Sequence, residues 1–122
     1  MTLEKSITEE RRQYKRYPVR DGAYTANATK PGRIIDIGLG GLACQYIDRK
    51  LWPNQTHSMD LIYGEDNAVR IINIPYRVVS EHPVKDEHRF DSTIIKRQSI
   101  QFGELTRQQI SELEEFIKKS AL

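Results

Sequence analysis

Closely spaced arginines stand near the start of the chain, in the run RRQYKR over residues 11–16. A guanidinium group is a planar fork of donors that can hold a phosphate, or the O6/N7 edge of guanine, with two hydrogen bonds. A solvated basic arm would contain the same residue types. Arg11, Arg12 and Arg16 are therefore candidates for binding an anionic ligand.

A carboxylate followed by glycines forms the second candidate, in the run DIGLGG over residues 36–41. Asp36 interrupts an isoleucine-rich run, which is an awkward position for a charge without a partner. Its carboxylate could accept hydrogen bonds from N1–H and N2–H of guanine, which leaves arginines for O6/N7 and phosphate. Gly38 and Gly41 would either supply positive φ in a strand turn or let a ligand approach the backbone closely.

The charge of the chain is concentrated in one segment. The 19 Lys+Arg and 17 Asp+Glu residues give a formal net charge of +2, which alone would indicate indifference to anions. Residues 11–35, however, hold seven basic side chains and one acidic one, so their net charge is +6 and that of the rest is −4. Such a field attracts phosphate, RNA or an acidic partner, and its small extent favours a compact anionic ligand.

Residue types that carry catalysis or bind metals are sparse. The single cysteine, Cys44, excludes an internal disulfide and falls on the apolar face of a predicted strand, where a small buried residue is expected. His57, His82 and His88 lack the HxH and HxxxH spacings of metal sites. The chain also lacks P-loop, GxSxG and Rossmann glycine patterns. We therefore predict neither an enzyme nor a metal site.

Length and hydropathy predict one domain inside the cell. A chain of 122 residues is long enough for one core and too short for two. No stretch approaches the ~18 consecutive apolar residues of a membrane-spanning helix. The first ten residues lack the apolar segment of a signal peptide, so we expect a cytoplasmic protein without membrane contact.

Short alternating runs broken by turn residues predict β-strands from Gly22 onward. Alternation slips near Pro75, so we expect an edge position or a bulge there. Without an intervening helical pattern, these runs predict an antiparallel barrel or a sandwich. The predicted strands are Ala23–Asn27, Arg33–Ile37, Leu42–Tyr46, His57–Tyr63, Val69–Ser80 and Phe90–Phe102.

The two ends of the chain differ from this pattern. Residues 1–20 are predicted to form a basic arm outside the core, with a short helix over residues 8–13, and residues 21–122 to form the domain. At the other end, Thr106 and Gln109 match a capping box, which predicts a helix over Arg107–Ser120. Its apolar stripe is expected to pack on the strands, and consists of Ile110, Leu113, Phe116 and Ile117.

The ordered pair of motifs, Arg12-xxx-Arg16 and then Asp36-x-Gly38-x-x-Gly41, resembles the PilZ domain family, which is marked by an RxxxR arm and a [D/N]xSxxG strand end. The resemblance continues through the run SIQFGEL at residues 99–105 and the helix after it. It implies a six-stranded antiparallel β-barrel with a C-terminal helix. It also implies a bacterial receptor for the second messenger cyclic di-GMP.

By this resemblance, Arg12 and Arg16 would hold phosphates and guanine edges from a mobile arm, and Arg11 would add a contact. Asp36 would bind a guanine edge from the barrel, and Gly41 would permit the turn. The serine of the family motif is replaced by Gly38 here. Because a net hydrogen bond contributes about 0.5–1.5 kcal/mol, this change is expected to weaken ligand binding several-fold without abolishing it.

Three functions are compatible with these features. We favour a non-catalytic cyclic di-GMP receptor that signals by ligand-dependent contact with a downstream protein, without a nucleic acid polymer, membrane, metal or cofactor. The replacement at Gly38 also fits a degenerate PilZ domain that acts as a ligand-independent adaptor. The least favoured alternative is an RNA- or DNA-binding barrel that stacks bases on Tyr14, Tyr17 and Tyr24, because these tyrosines also fit strand faces.

Overall fold

Seven β-strands and one α-helix make up the part of the chain that the computed structural model describes, residues 14–49, 55–84 and 93–122. A 3-10 turn at Glu65–Asn67 joins β5 to β6. The helix predicted over residues 8–13 lies outside the described residues, as do Arg11 and Arg12. The elements are β1 (Arg16–Pro18), β2 (Ala23–Ala26), β3 (Arg33–Gly38), β4 (Gly41–Ile47), β5 (Ser58–Tyr63), β6 (Val69–Pro83), β7 (Ile95–Phe102) and α1 (Arg107–Ser120).

Six antiparallel strands, β2 to β7, close into a barrel. Their order is β3-β2-β5-β6-β7-β4, and pairing of β3 with β4 completes the circle. Alternation alone predicted either a barrel or a sandwich, and the structure confirms the barrel. The extra strand β1 pairs with the end of β3, with Arg16 opposite Gly38 and Pro18 opposite Asp36.

The C-terminal part of the predicted arm is attached to the barrel. Val19 is 9% exposed and belongs to the hydrophobic core, so the prediction that the arm lies outside the core is wrong at this residue. Val19 also bridges to Ala121 just after α1. The backbone N–H of Arg20 donates to the carbonyl oxygen of Ser120 at 2.7 Å, and that of Leu122 donates to the carbonyl oxygen of Pro18 at 2.9 Å. These bonds hold the strand end against the last turn of the helix.

Helix α1 has the predicted bounds and the predicted capping box. The backbone N–H of Gln109 donates to Thr106 Oγ1, and that of Thr106 donates to Gln109 Oε1, each at 3.0 Å. Leu113 and Phe116 are fully buried in the core. Ile110, however, is 39% exposed, so the buried stripe is narrower than the apolar spacing predicted.

A bulge in β6 lies close to the predicted irregularity at Pro75. Met59 pairs with Ile74 while Leu61 pairs with Ile71, so two residues of β6 stand opposite Asp60. The carboxylate of Asp60 accepts hydrogen bonds from Arg70 Nη2 at 2.6 Å, Asn27 Nδ2 at 2.8 Å and Asn73 N at 3.1 Å. Burial alone would raise the pKa of Asp60, but these hydrogen bonds outweigh burial and lower it. This carboxylate therefore stabilises the bulge.

Strand β6 is longer than predicted. The strand was predicted to end at Ser80, yet β6 continues to Pro83, with His82 paired to Arg97 of β7. Glu81 accounts for this extension, because its carboxylate accepts hydrogen bonds at 3.0 Å from Lys30 Nζ and from Gln98 Nε2. The polar residues at this end of the strand are thus held by charge pairs and hydrogen bonds.

Stability of the barrel should depend on Glu81 at acidic pH. Burial alone would raise the pKa of Glu81, but hydrogen bonds from Tyr46, Gln98 and Lys30 and the charge of Lys30 lower it from 4.5 to about 2. The folded state then binds fewer protons than the unfolded state between these values, so stability rises with pH across that window, by at most about 1.4 kcal/mol per pH unit.

The contribution of Glu81 is therefore fully present above pH 4.5 and is lost as the pH falls towards 2. Thermal unfolding of Glu81→Gln between pH 7 and pH 3 should give a flatter pH dependence than that of the wild type. Parallel curves for the two proteins would contradict this assignment.

Candidate ligand-binding site

The candidate site lies on the outer surface of the barrel, where a bulge turns Asp36 away from the core. Ile34 pairs with Cys44, but Asp36 pairs with Ala43, so Ile35 is an extra residue in β3. Without this bulge, alternation would point Asp36 inward and Ile37 outward. Ile37 is fully buried, and Asp36 reaches the surface.

Two guanidinium groups face the carboxylate of Asp36. Arg16 Nη1 donates to Oδ1 and Arg97 Nη2 donates to Oδ2, each at 3.5 Å. The exposed fractions of the side chains are 16% for Arg16, 18% for Asp36 and 34% for Arg97. We call these three residues the Asp36 site. They explain how the chain accommodates a charge within an isoleucine run, because each carboxylate oxygen has a charged partner.

Small side chains extend from Asp36 across the neighbouring strands. Asp36 pairs with Ala43 on β4, Ala43 with Ser99 on β7, and Ser99 with Ser80 on β6. All four lie in one row of the sheet, and Ala43 in this row is 2% exposed, so other side chains already cover it.

A cleft of about 670 Å³ lies beside the Asp36 site, and we call it the outer cleft. Its volume is in the range of small-molecule sites. Arg16 belongs both to the lining of this cleft and to the Asp36 site. The lining is polar at Tyr14, Arg16, Ser80, Ser99 and Gln101, and apolar at Leu39, Val79, Phe102, Leu105 and Ile110.

The family model for the PilZ domain matches residues 10–119, which is most of the chain. The chain belongs to the PilZ domain family. No curated protein matches it significantly. The family match assigns the barrel, the extra strand and the C-terminal helix to one known architecture.

Solved PilZ structures share this fold at low sequence identity. The PilZ domain of YcgR from Escherichia coli with c-di-GMP has 20% identity and a TM-score of 0.64, over 89% of this chain and 90% of that chain. YcgR from Escherichia coli in complex with c-di-GMP has 16% identity and a TM-score of 0.62, over 89% and 45%. MrkH, a c-di-GMP-dependent transcription regulatory factor, has 19% identity and a TM-score of 0.63, over 88% and 50%. This chain thus spans about half the length of the latter two.

The glycines of the PilZ motif are required for close backbone approach. Positive φ among the described glycines occurs at Gly22 and Gly64, so the expectation that Gly38 or Gly41 supplies it is wrong. A Cβ at Gly38 would lie well under 3.0 Å from the carbonyl oxygen of Lys15, and one at Gly41 equally close to that of Ile100. Gly38 thus admits β1 beside β3, and Gly41 admits β7 beside β4.

Restoring the family serine at position 38 should displace β1. Both Gly38→Ser and Gly38→Ala place a Cβ against the Lys15 backbone, at a cost of about 1–3 kcal/mol for overpacking. The amide of Val19, which donates to Ile35 O at 3.1 Å, should then exchange about tenfold faster in both variants. Amide hydrogen exchange measured by NMR tests this. A faster rate in the serine variant alone would assign the effect to the hydroxyl and contradict the steric explanation.

The sequence predicted some residues of the candidate site and missed one. Arg16 and Asp36 do meet, whereas Arg11 and Arg12 lie outside the described residues. Arg97 was missed, although alternation along β7 could have placed it on the outer face of the barrel. Ile100 and Phe102 are buried, and the polar residues that alternate with them are Arg97, Ser99 and Gln101. The contact of Arg97 with Asp36 depends on the register between strands, which the sequence pattern does not reveal.

The cysteine of this PilZ domain is not accessible to a substrate. Cys44 is fully buried, and burial, followed by the charge of Glu81, raises the pKa of its thiol to about 12, so it is not a nucleophile. Within the described ranges, no group of three or more His, Cys, Asp or Glu side chains could hold a metal ion. No helix among those residues is long and apolar enough to cross a membrane.

Proposed function

We propose that this PilZ domain is a non-catalytic, cytoplasmic receptor for cyclic di-GMP, which binds across the Asp36 site and the outer cleft. The observation that carries the proposal is the carboxylate of Asp36 beside the guanidinium of Arg16 at the edge of that cleft. Support also comes from the E. coli YcgR structures, which contain c-di-GMP on the same fold.

Each residue has a distinct part in the proposed complex. Arg16 turns from Asp36 towards a phosphate or the O6/N7 edge of guanine, because it lines the cleft as well as contacting the carboxylate. The carboxylate of Asp36 then accepts N1–H and N2–H of guanine. Arg12, the first arginine of the RxxxR motif, and the neighbouring Arg11 contribute further phosphate or base contacts.

Binding is proposed to change the surface that a downstream protein meets. Arg16 lies in β1, a strand of three residues that pairs with β3 alone. Ligand that draws Arg16 into the cleft therefore favours a different position of β1 from the one in the free protein. A partner that contacts β1 would distinguish the two states only if the ligand binds one of them better.

Calorimetric titration with cyclic di-GMP tests the proposal. We expect saturable heat at micromolar ligand, and weaker binding of cyclic di-AMP, which keeps the phosphates but lacks the guanine edge. Asp36→Ala should lose most of this preference for guanine. An arbitrary single-stranded oligonucleotide, which would bind if the barrel recognised nucleic acid polymers, should give no heat. Absence of heat with cyclic di-GMP at tens of micromolar would overturn the receptor function.

A further inference from the structure

We propose that Arg97 is a positioning residue of the cyclic di-GMP site, which holds the carboxylate of Asp36 in place when Arg16 turns to the ligand. This inference rests on the proposed receptor function. Its basis is the pair of contacts at Asp36, where Arg97 and Arg16 each take one carboxylate oxygen at 3.5 Å.

The two arginines differ in how firmly the fold holds them. Arg16 belongs to β1, which has three residues and lies outside the closed barrel. Arg97 belongs to β7, where it pairs with Gln45 on one side and with His82 on the other. The backbone of Arg97 cannot shift without breaking the pairing of β7 with β4 or with β6. Arg16 can therefore change partner through a shift of β1, whereas the backbone of Arg97 keeps its place in the barrel.

Charge explains why a second arginine is needed. The side chain of Asp36 is 18% exposed, so its carboxylate would be poorly hydrated if it had no partner. If Arg16 were its single cationic partner, the ligand phosphate and Asp36 would compete for one guanidinium. With Arg97 in place, Arg16 can leave without isolating the carboxylate, and Asp36 Oδ1 opens towards guanine.

Arg97 is expected to act through Asp36. Arg16 lines the outer cleft, whereas the described contact of Arg97 at this site is with the carboxylate of Asp36. The Arg97 guanidinium contacts Oδ2 and that of Arg16 contacts Oδ1, so the departure of Arg16 would expose Oδ1 while Arg97 still holds Oδ2. A double-mutant cycle between Arg97 and Asp36 separates this role from direct ligand contact.

Calorimetric affinities for cyclic di-GMP should be measured for the wild type, Arg97→Ala, Asp36→Ala and the double variant. We expect Arg97→Ala to weaken binding about tenfold, since it removes a hydrogen bond to a charged group. The double variant should bind as Asp36→Ala does, because Arg97 then has nothing to position. Arg97→Lys, which retains the charge, should recover most of the loss.

A matched control is Arg33→Ala, which breaks an Arg–Asp pair on the same side of the barrel. Arg33 Nη1 contacts Asp21 Oδ1 at 3.3 Å, and the two side chains are 48% and 96% exposed. This variant should bind cyclic di-GMP within about twofold of the wild type, as expected for an exposed pair of little energetic weight. Thermal unfolding of every variant shows whether a loss of binding follows from a loss of fold.

Several results would overturn the inference. Equal losses from Arg97→Ala with and without Asp36 would show that Arg97 touches the ligand itself. Unchanged binding in Arg97→Ala, a loss that Arg97→Lys does not recover, or a loss matched by unfolding would exclude the positioning role. In each case the receptor function stands, because the wild type still binds; failure of the wild type to bind would remove both proposals together.

Discussion

Replacing Arg16 with alanine should weaken cyclic di-GMP binding by ten- to a hundredfold, the largest effect on affinity that we expect from one described side chain. Hydrogen bonds to charged groups contribute about 1.5–3 kcal/mol, and each 1.4 kcal/mol is a factor of ten in affinity. Arg16 also links the outer cleft to Asp36, so the variant removes the group through which the ligand reaches the carboxylate. Calorimetric titration against the wild type provides the measurement.

Arg20→Ala is the matched control for Arg16→Ala. It removes the same positive charge from the same segment, but its Nε donates to the carbonyl oxygen of Ala121 at 3.2 Å, away from the cleft. We expect its affinity to stay within about twofold of the wild type, because an exposed charge acts at a distance only through a screened field. Equal losses in the two variants would mean that the ligand senses total charge, and would contradict a specific role for Arg16.

Gly41→Ala should destabilise the protein by about 3 kcal/mol, at the upper end of the usual cost of overpacking. The new Cβ would lie well under 3.0 Å from the carbonyl oxygen of Ile100, which is backbone and cannot rotate away. Because β7 also pairs with β6 in the closed barrel, it cannot move outward as a free edge strand could. Urea unfolding followed by circular dichroism gives the change in the free energy of unfolding.

Gly40→Ala is the control for this prediction. A Cβ at Gly40 would lie 2.8 Å from Tyr14 Cδ2, a ring atom of a side chain that is 44% exposed and can turn aside. The cost should therefore stay below about 1 kcal/mol. Similar destabilisation by the two variants would show that the turn itself, and not the contact of β4 with β7, requires glycine.

The features that were predictable from the sequence are those that depend on local patterns. Helix α1 has its predicted bounds because Thr106, Gln109 and the apolar spacing act within one segment. The bulge at Ile35 and the extension of β6 through His82 depend on pairing and hydrogen bonds with the neighbouring strands. Alternation within one strand carries no information about the register between two strands, so these features had to be observed.

The candidate site was predictable to a similar extent. Motif spacing indicated that Arg16 and Asp36 belong to one site, and they do meet. Arg97 is distant from both in the sequence, and strand pairing alone brings it to Asp36. For the glycines, the sequence predicted either positive φ or close approach of a ligand, whereas the close approach observed is that of neighbouring backbone. Lys15 lies against Gly38 and Ile100 lies against Gly41 because of the tertiary structure, so these contacts were not predictable from the sequence.

The attachment of the β1 region to the end of α1 has a thermodynamic consequence. The backbone bonds from Leu122 to Pro18 and from Arg20 to Ser120 mean that β1 cannot move without altering the last turn of the helix. Consider a protein that binds this helix end and favours one position of β1. By linkage, it must change the affinity of the domain for cyclic di-GMP by the same factor as cyclic di-GMP changes the affinity of the domain for that protein. An effector that acts through this contact would therefore reveal itself as a shift in nucleotide affinity.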